Sequence, residues 1–216
     1  MPSSTTVTYR PFEDRDFTAA AELFYQQWCS DGDERLGRLD AQINLCTYLM
    51  DTTWGMVAER VPATSRDTGE KDALLGVLLV SAGTAKPNRR QLWAQRREGL
   101  LAQVAPNAEF GREVCRVEAE ELGLSRRYAA REGSDASAEF KLLVVSPAAR
   151  GLGVGRRLVE LGEEAAAETG AYVYFLITDD TCDVGFYDHL GLSRRCTEPS
   201  QAEPGINLYV YAKELG

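Results

Sequence analysis

Residues 142–177 hold the feature that most restricts the fold: an apolar run, a glycine-rich turn, a helical stripe and a second apolar run. Leu142, Leu143, Val144 and Val145 read as a buried strand, and 146–150 as a turn. Val154, Leu158, Leu161 and Ala165 then recur at the spacing of one helix face, and Gly170 is a natural helix stop. Residues 172–177 are apolar enough for burial on both faces. Strand, helix and strand of this length predict a parallel pair joined by a right-handed crossover, and so an α/β architecture.

The N-terminal half supplies further sheet and helix. Residues 7–9 predict a strand closed by Pro11, and Asp14 or Asp16 can cap a helix that presents Phe17, Ala20, Phe24 and Trp28 on one face. After an acidic loop at 30–34, the spacing of Leu36, Leu39, Ile43, Cys46 and Met50 predicts a second helix. Residues 53–58 and 73–80 read as an antiparallel hairpin with a long polar connection over 60–72. Between 84 and 137 strand-like alternation disappears, which predicts a helical insertion. Its first part is basic (Arg89, Arg90, Arg96, Arg97) and its second acidic (Glu118, Glu120, Glu121), so the two helices are expected to pair with each other. Residues 131–137 read as a linker, Phe186, Tyr187 and Leu190 as a short helix, and 192–195 with 206–212 as a closing hairpin. A chain of 216 residues fits one domain, 1–216, carrying the insertion.

Composition narrows the function. No apolar run approaches the roughly 18 residues needed to cross a bilayer, and residues 1–10 lack a basic stretch followed by an apolar one, so a cytoplasmic protein without a membrane partner is expected. Five scattered cysteines without a C-x-x-C pair, and one histidine, His189, suggest neither a disulfide framework nor a metal site. Acidic residues outnumber basic ones by 33 to 24, a net charge of −9, which disfavours a nucleic-acid partner and attracts cationic small molecules or peptides.

The turn between the paired strands can bind an anion. Amide N–H groups at a helix start point outward, the helix dipole is positive there, and Gly151, Gly153 and Gly155 let a phosphate approach the backbone. Arg150, Arg156 and Arg157 add charge. A P-loop is excluded because no Lys-Ser or Lys-Thr follows the last glycine. A dinucleotide fold would use Gly151, Gly153 and the acid Asp179, but Arg156 stands where its third glycine is needed, and the unit occurs once.

Val145-x-Pro147-x-x-Arg150-Gly151-x-Gly153-Val154-Gly155, followed by Leu158, resembles the acyl-CoA-binding signature Q/R-x-x-G-x-G/A of the GNAT superfamily of N-acyltransferases. Phe186-Tyr187-x-x-Leu190-Gly191-Leu192 is similar to that superfamily's Phe-Tyr-x-x-Leu-Gly-Phe segment, and Leu75-Gly76-Val77 to its third strand. The resemblance implies a mixed twisted sheet of about six to seven strands flanked by helices, opened between its fourth and fifth strands, with the insertion between the third and fourth. It implies acetyl-CoA as co-substrate, its pantetheine arm pairing with Leu143, Val144 and Val145. Its pyrophosphate would rest on Gly151, Leu152, Gly153, Val154, Gly155 and Arg156, with Arg150 nearby.

The implied reaction is direct attack of a primary amine on the thioester in a ternary complex, without a covalent acyl-enzyme. Tyr187 matches the phenolic acid that protonates the departing thiolate, a transfer from a group of pKa about 10 to one of about 8.5. Glu139 is the candidate base, with Asp179 and Asp180 as rivals. Asp180 and Asp183 depart from the Asn and Ala common before Phe-Tyr, and Asp180 is expected to bind the acceptor cation instead. His189 is expected to be structural or solvent-facing, and Asp31, Asp33 and Glu34 to border the acceptor groove. The acceptor is a small-molecule or peptide amine, and the insertion covers its groove or builds a homodimer surface. A non-catalytic acyl-CoA or nucleotide-binding regulator and an NAD-dependent oxidoreductase are the alternatives.

Overall fold

The computed structural model describes residues 6–61, 74–132 and 137–216, and there the chain threads seven strands through one sheet. Strands β1 (Thr6–Pro11), β2 (Trp54–Val61), β3 (Leu74–Ala82) and β4 (Ser137–Val145) run antiparallel, each to the next. Strand β5 (Val173–Asp179) joins β4 in parallel. Strand β7 (Asn207–Glu214) pairs antiparallel with β5 and with the edge strand β6 (Ser193–Pro199). The order across the sheet is β1-β2-β3-β4-β5-β7-β6. A parallel neighbour needs a crossover, and α5 (Val154–Glu168) supplies it, as the sequence pattern requires.

Helices α1 (Phe17–Phe24), α2 (Glu34–Asp51), α3 (Pro87–Val104) and α4 (Ala108–Glu132) cover one face of the sheet; the short α6 (Val184–His189) follows β5 on the α5 side. Phe17, Phe24, Leu39, Ile43 and Leu49 meet Val57, Val77, Leu79 and Val144, with Trp93 and Val114 closing the layer. On the opposite face Val154, Leu158 and Ala166 of α5 meet Leu75, Leu78, Val80, Phe140 and Tyr174. Residues 75–80 of β3 are buried without a break. That is the pattern of a strand covered on both faces.

Several local expectations are corrected. The buried row of α5 is Val154, Leu158, Val159, Gly162 and Ala166 rather than one running through Leu161 and Ala165. The helix lies on the sheet at Gly162, where a Cβ would stand 2.5 Å from Leu78 Cδ2 and 2.8 Å from Phe140 Cζ. Asp16 does not cap α1 with its side chain. Its carboxylate takes the Arg10 guanidinium at 2.7 Å and the Glu13 N–H at 2.8 Å. Helix α2 buries Gly37, Ala41 and Leu45 besides the expected row, because α3 packs on it as well.

The basic helix and the acidic helix do not simply neutralise each other. Arg89 bridges to Asp14 at 3.0 Å, Arg90 to Asp51 at 2.7 Å, and Arg96 lies 3.6 Å over the Phe17 ring. Arg97 does reach α4, where it pairs with the buried Glu118. Glu120 instead accepts from Ser200 Oγ at 2.6 Å and from the Gln201 and Ala202 amides, tying α4 to the β6–β7 connection. Helix α3 therefore rests mainly on α2, with Trp93 stacked on Phe17 of α1, leaving a row of α4 free to face the sheet. The β2–β3 connection at 62–73 and the linker at 133–136 lie outside the described residues; Glu132 ends α4 and Ser137 opens β4.

Candidate active site

Strands β4 and β5 are hydrogen-bonded only across Ser137↔Val173, Ala138↔Tyr174 and Glu139↔Phe175, although both run on, to Val145 and Asp179. Beyond Glu139 they diverge, and a cleft of about 570 Å³ opens between Phe140, Lys141, Leu142 and Leu143 on one side and Leu176, Ile177, Thr178 and Asp179 on the other. The cause is a bulge. The β3–β4 register slips where Leu79 faces Leu142 but Val80 faces Phe140, leaving Lys141 as the extra residue. A bulge bends its strand and leaves that residue out of the ladder. It also reverses the pleat, so Phe140 packs with α5 while Leu142, two positions on, packs with α1 and α2.

The walls of the cleft come from helices. One i, i+4 row of α2 (Leu36, Asp40, Asn44, Tyr48) faces one of α4 (Glu113, Val117, Glu121, Ser125). Asp40 accepts from Asn44 Nδ2 at 2.7 Å, and burial together with Glu118 and Glu113 pushes its pKa up to about 6. Tyr48 donates to Glu121 at 3.2 Å. Burial, and then the charge of Asp179, raise Glu121 to about 7. None of Asp40, Tyr48, Glu121 and Thr178 was singled out for the site from sequence. The available signal was Asp40 and Asn44 four positions apart in α2; the charged α4 and Thr178 of β5 offered none.

Of the predicted β4 contacts, Leu143 lines the cleft. The Val144 side chain is buried on the α1–α2 face, and Val145 packs towards α5. The turn after β4 begins with Ser146, whose hydroxyl accepts the Ala148 amide at 3.2 Å. Gly151 and Gly153 have φ of +76° and +71°, and no atom lies within 4 Å of where their Cβ atoms would be. Gly153 caps α5 without a side chain, and the first helical bond runs from Arg157 N to Gly153 O at 3.0 Å. Helix geometry leaves the amides of Gly153, Val154, Gly155 and Arg156 outside that ladder. Arg150, Leu152 and Arg156 are exposed around them, whereas Arg157 is bound along the helix to Glu160 and Glu164.

Gly155 has a different reason to be glycine. A Cβ there would stand 3.2 Å from Phe186 Cζ and 3.5 Å from Val145 Cγ2. It lets α5 close on α6, and so sets the position of the next residue, Tyr187. Tyr187 lines the cleft, with its ring 5.6 Å from that of Tyr211. Burial raises its phenol well above the ordinary value; Cys182, Asp179 and Asp183 add to this, and Thr178 opposes it. Thr178 Oγ1 is close enough to act on Tyr187 and Cys182, yet it is buried without a hydrogen bond of ordinary geometry. Burial and Asp179 also push the Cys182 thiol up, which keeps it from being a poised nucleophile.

Glu139 lines the cleft and accepts Lys141 Nζ at 2.9 Å. The Asp180 carboxylate is outside the cleft lining and accepts from Asn207 N at 2.7 Å, Asn207 Nδ2 at 2.9 Å and the Tyr209 hydroxyl. Asp179 ends β5 and lines the cleft, whereas Asp180, in the turn that follows, ties the strand end to β7. Asp31 and Asp33 line the mouth, while Glu34 does not and pairs with Arg38. His189 is exposed and bonds Gly185 O at 2.6 Å. Among the described residues no cluster of metal-ligating side chains occurs, and no helix is long and apolar enough to cross a membrane.

Comparison with known proteins agrees with this geometry. The family model for the acetyltransferase (GNAT) domain matches residues 112–192, from the cleft-lining part of α4 to the segment after Tyr187. No curated protein sequence matches the chain. Solved structures share the fold at low identity. Ard1 from Thermoplasma volcanium is 13% identical with a TM-score of 0.53, over 97% of this chain and 98% of that one. A GCN5-related N-acetyltransferase from Kribbella flavida is 15% identical with a TM-score of 0.51, over 97% and 98%. For yncA from Salmonella typhimurium, solved with its cofactor acetyl-CoA, the values are 13% and 0.51, over 97% and 94%. The split parallel pair, the glycine turn and the Phe186-Tyr187 segment all lie within or beside the region that matches the acetyltransferase (GNAT) domain, and the chain as a whole shares the fold of these acetyltransferase structures.

Proposed function

We propose that the protein moves an acetyl or other short acyl group from acyl-CoA to a primary amine, the two substrates meeting in the β4–β5 fork. The observation that carries the reading is the end of β4–β5 pairing at Glu139 and Phe175, which frees backbone groups of both strands at the cleft. The coenzyme fits this chain: Gly151 and Gly153 leave open space over uncapped α5 amides, and Arg150 and Arg156 stand beside them. Those amides and arginines would hold the diphosphate, and the freed backbone of Leu143 to Val145 the pantetheine arm. When bound, the coenzyme supplies the activated thioester.

The protein's own groups then have defined work. The bulged backbone around Lys141 offers N–H groups to the oxygen that gains negative charge. Tyr187 Oη donates to the sulfur as the C–S bond breaks. Because its phenol is hard to ionise, it donates fully only as charge appears on the sulfur, and it must then be reprotonated. Glu139 is held by Lys141, so Glu121 is the carboxylate better matched to accept the amine proton near neutral pH. The helix pair α3–α4 thus acts as an insertion that builds the acceptor wall. The test is release of coenzyme thiol from acetyl-CoA across an amine panel. Amine-dependent release is expected; coenzyme binding without release from any amine would overturn the enzyme reading in favour of a regulatory module.

A further inference from the structure

We infer that the acceptor is a small primary amine with an apolar body, an alkyl or aryl group that lies against Trp28, Leu36, Phe110 and Val117 while its nitrogen lies at the β4–β5 fork. This rests on the transferase reading.

A polypeptide acceptor is held through its main chain, along an open groove or a free strand edge. Helix α4 lies across that place here. Its Glu118 is buried, accepts from Thr47 Oγ1 of α2 at 2.6 Å and pairs with Arg97 of α3. Two residues on, Glu120 accepts from Ser200 Oγ and from the Gln201 and Ala202 amides in the β6–β7 connection. Leu124 and Tyr128 then pack on Phe175 and Val210 of the sheet. The helix is thus fastened to α2 on one side of the cleft and to the β6–β7 connection on the other. It leaves a cleft of about 570 Å³, a size that suits a small molecule.

The part of that cleft beside α2 and α4 is apolar and held in place. Trp28, Leu36, Phe110 and Val117 line it and are each half-buried, and the first three rest on the α1–α2 core. Trp28 is set by an unusual turn: Tyr25–Cys29 continue α1 as a π-helix, a geometry frequent at functional sites. Helix α2 closes on the end of this turn at Gly37, where a Cβ would stand 2.1 Å from Cys29 O. The indole also packs on Phe24, with ring centres 4.7 Å apart. An aromatic wall fixed before binding takes up an apolar group at little cost in ordering.

Charge excludes the amino acids. The cation among the described residues that line the cleft, Lys141, is paired with Glu139, so an acceptor carboxylate would be buried without a partner. One amino group suffices. It attacks in its neutral form; the N–C bond forms and the C–S bond breaks, one proton passing from nitrogen to a carboxylate of the site and one from Tyr187 to sulfur.

The experiment measures thiol release from acetyl-CoA with ethylamine, butylamine and hexylamine, whose amino groups are equally basic, and with phenylalanine and a glycyl hexapeptide. Thermal shift with the same alkylamines is read without coenzyme. Expected is a kcat/KM that rises about fourfold per methylene along the series, the ratio for burying one CH₂, with phenylalanine and the hexapeptide below hexylamine. Trp28→Ala, or Val117→Thr should Trp28→Ala not fold, flattens the rise. A flat series in the parent protein, an unaltered slope in the variant, or a hexapeptide turned over as well as hexylamine overturns the inference and leaves the transferase reading standing. Greater stabilisation by hexylamine than by ethylamine with no thiol release from any amine keeps the apolar site and overturns the transferase reading. The absence of both shift and release overturns both.

Discussion

Tyr48 and Glu121 join the second helix to the fourth through a 3.2 Å hydrogen bond from phenol to carboxylate, at the cleft wall. Burial, reinforced by Glu121 itself, holds the Tyr48 phenol well above its ordinary pKa, so it donates at every physiological pH. The same contact favours the Glu121 anion, but burial and Asp179 outweigh it and leave the acid near 7. A carboxylic acid that ionises near 7 can both take and return a proton under working conditions.

Glu121 should therefore set the acid limb of the pH–rate profile. Activity rises as pH passes through about 7, the value to which Glu121 is raised. In Glu121→Gln that limb disappears and kcat falls by about 10²-fold, within the range of general-base losses. Initial rates from pH 5.5 to 9 read both effects, and an unchanged limb in the variant would exclude Glu121 as the proton acceptor.

The same shifts predict how stability responds to pH. Folding raises Asp40 from 3.8 to about 6 and Glu121 from 4.5 to about 7. The native state thus holds protons that the unfolded chain has already released. Their stabilising contribution is complete below the unfolded values and is lost as pH rises through about 6 and 7. Since both side chains are partly open to solvent, the loss is roughly 1–2 kcal/mol per group. Thermal denaturation without ligand should show a lower Tm at pH 8 than at pH 5, and Asp40→Asn should flatten the difference. A Tm that rises over this interval equally in both proteins would contradict it.

The parts that were legible in sequence are those where local chemistry decides alone. The glycine turn, the existence of the α5 helix, the parallel β4–β5 pair and the Phe186-Tyr187 helix follow from spacing and backbone freedom over a few residues. The partners of Asp180 are not legible locally, because Asn207 and Tyr209, which donate to it, are distant in sequence. The setting of Glu121 is not legible locally, because it depends on α4 presenting a face to Tyr48 and Asp179. The bulge at Lys141 has no local signature; it becomes visible only in the register against β3. Gly155 looked like a phosphate-approach glycine, and only its contact with Phe186 shows the packing constraint.

Gly162 should be among the least replaceable positions outside the cleft. A methyl group there would press into Leu78 and Phe140, both buried in the central core. Alanine normally strengthens a helix interior by about 1 kcal/mol relative to glycine, but overpacking costs about 1–3 kcal/mol. The contact of 2.5 Å is well inside van der Waals range, so the second effect wins. Gly162→Ala should lower the denaturant midpoint, and a raised midpoint would mean that α5 can lift from the sheet without penalty.

Tyr187 offers the sharpest test of how the leaving thiolate is handled. Its phenol is buried, and Cys182, Asp179 and Asp183 further disfavour its anion, so it stays protonated across the working pH range. Full transfer to a free thiolate of pKa about 8.5 is then more uphill than for an unperturbed phenol of about 10. In the proposed reaction its contribution would come from a hydrogen bond that strengthens as negative charge gathers on sulfur, an interaction specific to the transition state. Tyr187→Phe keeps the ring against Tyr211 and Phe186 and removes only that bond. The expected result is a kcat lowered by about 10- to 100-fold with acetyl-CoA affinity unchanged, and no alkaline limb assignable to Tyr187 below about pH 10 in the parent protein. Loss of coenzyme affinity with kcat preserved would instead make Tyr187 a packing residue of the α5–α6 contact.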